Sequence, residues 1–229
     1  MIFWYKVLIE GGFAGDHNPT DSLLMEHPRI HRDRRAKEIR GITLRAVEEK
    51  KRVCPVEHTG SLDNVFRKWI HNPKKLLGEY VKEGMVVLDI GCGPGLYSVE
   101  MAKMVGKSGS VVAVDLQEGM LQKLKDKIQG IEIEKIITLH RCKENEIGIS
   151  EKIDFALAFY MVHEVPDQEK FFEEIKSILK PNGNFLIIEP KFHVSKQAFE
   201  ETIEKAITIG FEPIKKPKVF FSRAVVLKT

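Results

Sequence analysis

The sequence predicts an α/β protein built on a buried, mostly parallel sheet. Three observations carry the prediction. The apolar runs V-V-L-D-I, V-V-A-V-D, I-D-F-A-L-A-F and F-L-I-I-E alternate with stretches of helical periodicity. The first run breaks into Gly91, Gly93 and Gly95, one glycine every second residue, and a helical pattern follows. The second run ends in a lone acid, Asp115, about 20 residues past Gly95, the spacing of a nucleotide-type β-α-β unit.

Taken in order, strands are expected at 86–90, 111–115, 136–140, 153–159 and 184–189, then near 217–221 and at 223–228. Helices are expected at roughly 96–105, 118–129, 168–179 and 196–209. Pro181-Asn182-Gly183 stops a helix and turns the chain into the fifth strand. In an open parallel sheet the ligand sits beyond the carboxyl ends of the strands, where strand order reverses. Four loops reach that edge, after the strands ending near 90, 115, 140 and 159.

The glycine loop limits the ligand. Glycines let the backbone pass close to a bound group where a Cβ would collide, and an acid at Asp115 accepts hydrogen bonds from a ribose. Those features suit an adenosine-containing ligand. The spacing is G-x-G-x-G, not the G-x-G-x-x-G of dinucleotide sites. Asp89 would repel a pyrophosphate and favours a cationic ligand bearing an ammonium group, and no G-K-[ST] follows to hold a nucleoside triphosphate.

These residues, V-L-D-I-G-C-G-P-G with A-V-D downstream, resemble the class I S-adenosylmethionine-dependent methyltransferases, from about Gly84 to the C-terminus. The resemblance implies a Rossmann-like seven-stranded, mostly parallel sheet with helices on both faces and a closing antiparallel hairpin, here F-E-P-I-K-K-P-K-V-F-F with R-A-V-V-L-K. No C-terminal specificity domain is then expected. The implied cofactor is S-adenosyl-L-methionine, held by Asp89, Gly91, Cys92, Gly93 and Gly95, by Asp115, Leu116 and Gln117, and by Met120, Cys142 and Lys143. Relatives often place an acid against the adenine amino group where this chain has Cys142 or Lys143. Met120 reads equally as an adenine contact or as core.

The segment F-Y-M-V-H-E-V-P-D, Phe159 to Asp167, passes the transferred methyl in the resemblance. Tyr160, His163 and Glu164 are its candidate catalytic residues. A histidine takes a proton from an acceptor hydroxyl or acidic carbon near neutral pH. His163 and Glu164 merely bracing the loop is the competing reading.

Several acceptors are argued down. The [D/N/S]-P-P-[Y/F] clamp for planar amino nitrogens is replaced by A-F-Y-M, the Pro-Cys nucleophile of cytosine-C5 enzymes is missing, and no acid cluster suggests a magnesium site. The remaining resemblance is to the small-molecule methyltransferases of ubiquinone and menaquinone biosynthesis. Alternatives are a catalytically silent S-adenosylmethionine-binding module serving a protein partner and, ranked lower, arsenite methylation on cysteine thiolates.

Composition agrees with one substantial core. Cys54, Cys92 and Cys142 are too few and too scattered for a disulfide framework and form no C-x-x-C pair, so reduced thiols in a cytoplasmic protein with no metal site are expected. No apolar run approaches the ~20 residues of a membrane span. The net charge is +3, and it resides in residues 1–53, which carry 11 Lys/Arg against 8 Asp/Glu, while residues 54–229 carry 25 of each. The expected core is therefore neutral, which gives no electrostatic argument for nucleic acid. The run H-R-D-R-R-A-K at 31–37 has the charge to bind phosphate, but reads first as a solvated helix face.

Residues 1–53 form a poorly patterned arm, with residues 1–46 dispensable for folding, and only about 30–51 has a helical pattern. Residues 54–83 are expected as a helical segment, with Phe66, Trp69 and Ile70 at helical spacing behind Ser61 and Asp63, that reads equally as a lid over the ligand or as simple packing on the sheet edge. The core is expected at 84–229.

Overall fold

A computed structural model describes residues 72–229. The arm, the 31–37 basic run, Cys54 and the lid residues Phe66, Trp69 and Ile70 lie outside the described residues.

The described chain opens with helix α1 (Pro73–Leu77), where Asn72 accepts from the Lys75 N–H at 3.2 Å and Pro73 fits the first turn, which needs no N–H donor. Strand β1 (Val86–Ile90) leads through the glycine loop to α2 (Leu96–Val105). Strand β2 (Ser110–Asp115) then leads to α3 (Glu118–Ile128), and strand β3 (Ile137–Arg141) follows. Strand β4 (Ile153–Phe159) is joined by a 3-10 turn, Val162–Glu164, to α4 (Gln168–Ile178), whose Asp167 cap accepts from the Lys170 N–H at 3.0 Å. Strand β5 (Leu179–Pro190), α5 (Lys196–Ile209), β6 (Glu212–Lys215) and β7 (Ser222–Lys228) complete the chain.

The strands form one seven-stranded sheet in the order β3-β2-β1-β4-β5-β7-β6. Pairs from β3 through β5 are parallel, and β7 is antiparallel to both β5 and β6. Order reverses between β1 and β4, so the crevice of the fold opens beyond Ile90 and Phe159.

Burial on both faces explains the near-continuous apolar strands. On one face Val87, Phe155, Leu157, Phe159 and Leu186 pack with α1, α2 and α3 through Leu77, Met101, Val105, Leu121 and Leu124. On the other, Leu88, Ala156, Phe185 and Ile187 pack with α4 and α5 through Phe172, Ile175, Phe199 and Ile203. Each such large side chain contributes about 1.5–3 kcal/mol on burial. The described part of the expected lid packs as core: Leu77, Tyr80 and Val81 are buried, and Tyr80 stacks on Phe155 with ring centroids 5.8 Å apart.

One strand was misplaced by the sequence pattern. The sixth strand runs over Glu212–Lys215, not near 217–221, and residues 216–221 are the connection to β7. Pro217 has no N–H for a ladder, and Phe221 sits at φ 48°. Pro213 is tolerated because β6 is an edge strand. The expected turn at Pro181-Asn182-Gly183 is an irregularity early in β5, with Asn182 at φ 64° and a register shift between Ile153 and Phe155 on the partner strand.

Candidate functional site

The glycine loop leaves β1 at the switch in strand order. Its three glycines have different surroundings. A Cβ on Gly93 meets no atom within 4 Å, so this backbone faces open space, as a ligand cradle requires. At Gly91 and Gly95 an added Cβ would meet protein atoms. A Cβ on Gly91 would stand 3.0 Å from the Met161 side chain, and one on Gly95, where φ is +78°, would collide with Leu124. Gly95 is thus the tight joint between the start of α2 and the face of α3.

Asp115 is tied to this loop. Its two carboxylate oxygens accept from the Gly93 N–H and the Gln117 N–H, each at 2.9 Å. Burial raises its pKa, and the backbone donors of Gln117 and Gly93 partly oppose that rise. Asp89 is fully buried and accepts from the Ser98 hydroxyl at 2.5 Å. Burial pushes its carboxyl up to about 7; the Ser98 bond works against the rise, and the Asp115 charge adds to it. Two buried carboxylates beside an open glycine cradle would repel a pyrophosphate. They fit a ligand with ribose hydroxyls and a positive charge, as S-adenosylmethionine has.

The neighbouring loops complete the cradle. Met120 is buried on the first turn of α3, after Leu116 and Gln117. The Cys142 N–H donates to the Asp115 carbonyl at 3.2 Å, which fixes the loop after β3 against β2. Lys143 turns away to pair with Glu146 at 2.9 Å on the exposed surface. Burial raises the thiol pKa of Cys92, and that of Cys142 to about 11. Both cysteines are therefore poor thiolates, which weighs against metalloid chemistry on them.

Across the switch point, the loop after β4 gathers its polar residues around a carboxylate that sequence reasoning missed. Glu189, at the carboxyl end of β5, is 1% exposed and accepts twice from His163, from the backbone N–H at 3.2 Å and at Nδ1 at 2.6 Å. Burial pulls the His163 pKa down, but the Glu189 bond and the charges of Glu189 and Glu164 outweigh it, so it is raised. Glu164 stands 4.0 Å from His163 Nε2 and is pushed up to about 7 by burial, with the Glu189 and Asp115 charges adding and His163 opposing. An acid ending an apolar strand was the available signal for Glu189, the same signal that singled out Asp115.

Tyr160 is strained at φ 61°, a conformation costing about 1–3 kcal/mol for a bulky residue. Its N–H donates to Ile188, its ring stacks on Phe159 at 4.1 Å, and its hydroxyl lies 2.5 Å from the Ser222 hydroxyl. The Tyr160 hydroxyl is therefore engaged by β7. Phe192, Phe220 and Phe221 are 50%, 59% and 61% exposed, and the Lys191 N–H donates to the Phe221 carbonyl, joining the segment after β5 to the one before β7. Phe220 also lines a cavity of about 320 Å³ with Leu76, Tyr80, Pro217 and Val219.

Comparison with known proteins agrees with this geometry. The family described as "Methyltransferase domain" matches residues 81–214, more than half of the chain. The demethylmenaquinone methyltransferase of Lactobacillus johnsonii is 33% identical over 110 residues, 48% of this chain and 45% of that protein. The chain thus spans about half the length of the curated relatives it matches. A solved structure described as a SAM dependent methyltransferase from Aquifex aeolicus has a TM-score of 0.68 at 28% identity, covering 76% of this chain and 98% of that one. Aeropyrum pernix fibrillarin, solved with natively bound S-adenosyl-L-methionine, shares the fold at a TM-score of 0.52 and 15% identity, over 65% of this chain and 67% of that one. The chain belongs to the methyltransferase-domain family and has the fold of the class I S-adenosylmethionine-dependent methyltransferases.

Proposed function

We propose that the protein transfers the methyl group of S-adenosylmethionine to a small, largely apolar acceptor. The observation that carries this reading is the open Gly93 backbone, tied through its N–H to the buried Asp115 carboxylate, with the buried Asp89 on the preceding strand. His163 and Glu164 follow β4, the strand beside β1 at the switch in strand order. The names of the demethylmenaquinone methyltransferases support a small-molecule acceptor. Among the described residues no helix is long and apolar enough to cross a membrane. The scattered cysteines support a reducing, cytoplasmic setting.

When bound, S-adenosylmethionine supplies an already activated methyl. The chain's task is then positioning, worth up to about 7–11 kcal/mol in favourable cases. Asp115 holds the ribose and Asp89 the cationic end, with Gly93 leaving room for the backbone to approach. Leu116, Gln117, Met120 and Cys142 border the adenosine, whereas Lys143, paired with Glu146, is the weakest member of the proposed set. Phe159, Tyr160 and Met161, at the end of β4 and just after it, exclude water, and His163 accepts a proton.

His163→Ala is expected to lower turnover by about 10²-fold or more, the usual worth of a positioned proton-transfer group, and to leave cofactor affinity nearly unchanged. Steady-state kinetics beside calorimetry reads both. Equal losses in the two would place His163 in the cofactor shell, and no loss in either would leave it bracing the loop.

A second expectation concerns pH. A cationic ligand favours the Asp89 carboxylate, whose pKa is about 7 in the free protein. Below that pH a proton must leave on binding, so affinity is expected to fall by up to about tenfold per pH unit as the pH drops. Calorimetry between pH 5.5 and 7.5 in buffers of different ionisation enthalpy reads the released proton. Asp89→Asn should remove most of the dependence, and a flat affinity in the wild type would contradict the assignment.

A further inference from the structure

We propose that Glu189 is the positioning residue of a proton-abstracting pair, holding His163 with its proton on Nδ1 and its Nε2 lone pair toward the acceptor, and that the acceptor carries a removable proton on the atom that is methylated. The inference rests on the methyltransferase reading above.

The geometry is specific. A neutral imidazole has one donor and one acceptor nitrogen. A buried carboxylate 2.6 Å from Nδ1 accepts only, so it fixes the proton at Nδ1 and leaves Nε2 as the base. The second bond, from the His163 backbone N–H to the other Glu189 oxygen, locks the turn that carries the ring. Glu189 sits on the central sheet next to β4 and β7, a rigid support for such a group. The titratable groups facing His163 are Glu189 from β5, His193 from the loop after β5 with ring centroids 4.9 Å apart, and Glu164 on its own turn. The carboxylates favour the imidazolium. Burial and the charge of His163 lower the pKa of His193.

In the step itself, the attacking atom of the acceptor gives its proton to Nε2. Its freed electron pair forms the bond to the methyl carbon. The carbon–sulfur bond of the S-adenosylmethionine sulfonium breaks, and that pair returns to sulfur, leaving neutral S-adenosylhomocysteine. The imidazolium, stabilised by Glu189 and Glu164, then releases the proton to solvent.

The test is a ¹⁵N-imidazole NMR titration of the full chain, with the His163 resonance assigned by His163→Gln. In the wild type, His163 is expected to titrate above its ordinary value of 6.5 and to be protonated on Nδ1 when neutral. In Glu189→Gln the titration should move down and the single tautomer should be lost. Turnover should fall by about 10²-fold, the rising limb of kcat/KM with pH should shift to lower pH, and Glu189→Asp should recover part of the loss. An unchanged titration and tautomer in Glu189→Gln overturn the proposal. If that variant does not fold, the wild type decides: titration at or below 6.5, or a neutral form protonated on Nε2, overturns it. No cofactor enters the titration, so failure of the pair and failure to bind S-adenosylmethionine are separate results.

Discussion

Asp115→Ala is expected to weaken S-adenosylmethionine binding by about 10- to 150-fold, the 1.5–3 kcal/mol typical of a hydrogen bond to a charged group. The upper part of that range is the more reasonable expectation, because Asp115 has two tasks. In the proposed reading its carboxylate holds the ribose hydroxyls, and it also accepts from the Gly93 and Gln117 N–H groups. Alanine removes the ligand partner and unties the cradle at once. Asp115→Asn keeps one acceptor oxygen and should fall between the two. Calorimetry with S-adenosylmethionine measures the loss, and a melt shows that the fold is intact. Wild-type affinity in Asp115→Ala would remove Asp115 from the cofactor site.

Gly95→Ala is expected to produce the largest loss of stability. Alanine there meets two costs, a left-handed backbone and a Cβ driven into Leu124. Together they amount to about 2–5 kcal/mol. Each kcal/mol lowers the melting temperature by roughly 2–4 °C in a domain of this size. Gly93→Ala should behave differently. Its backbone is also left-handed, at φ +52°, but its Cβ enters open space, so only the backbone cost of about 1–2 kcal/mol applies and the melt falls less than in Gly95→Ala, while cofactor affinity falls. Differential scanning calorimetry beside ligand titration separates the two glycines. The same phenotype in both would mean that they share one role.

The contrast between these glycines shows what the sequence could and could not tell. The motif Gly91 to Gly95 and the acid at Asp115 located the crevice, because a strand-turn-helix with that spacing has few physical solutions. The division of labour within the motif was not legible. It depends on Leu124 and Met161, which come from distant parts of the chain and face Gly95 and Gly91 only after folding.

The parallel strands were legible for a similar reason. Strands buried on both faces are nearly all apolar, and β1 and β4 run where V-V-L-D-I and I-D-F-A-L-A-F do. The edge strand β6 has all four residues exposed and carries Pro213, so no apolar pattern marks it. The apolar K-V-F-F that drew the expected strand to 217–221 instead leaves Phe220 and Phe221 exposed in the connection to β7. Likewise Tyr160 was visible as a polar residue in the right loop, but its engagement by Ser222 was not, since 62 residues separate them.

The measurement that tests the central claim most directly is methyl transfer itself. The full chain is incubated with S-adenosylmethionine labelled in its methyl group and the small-molecule fraction of a bacterial extract. The account predicts S-adenosylhomocysteine, with the label recovered in an apolar, solvent-extractable small molecule and neither product formed by His163→Ala at a comparable rate. Tight binding of S-adenosylmethionine with no S-adenosylhomocysteine formed would make the chain a silent binding module, and label recovered only in protein or nucleic acid would contradict the small-molecule acceptor.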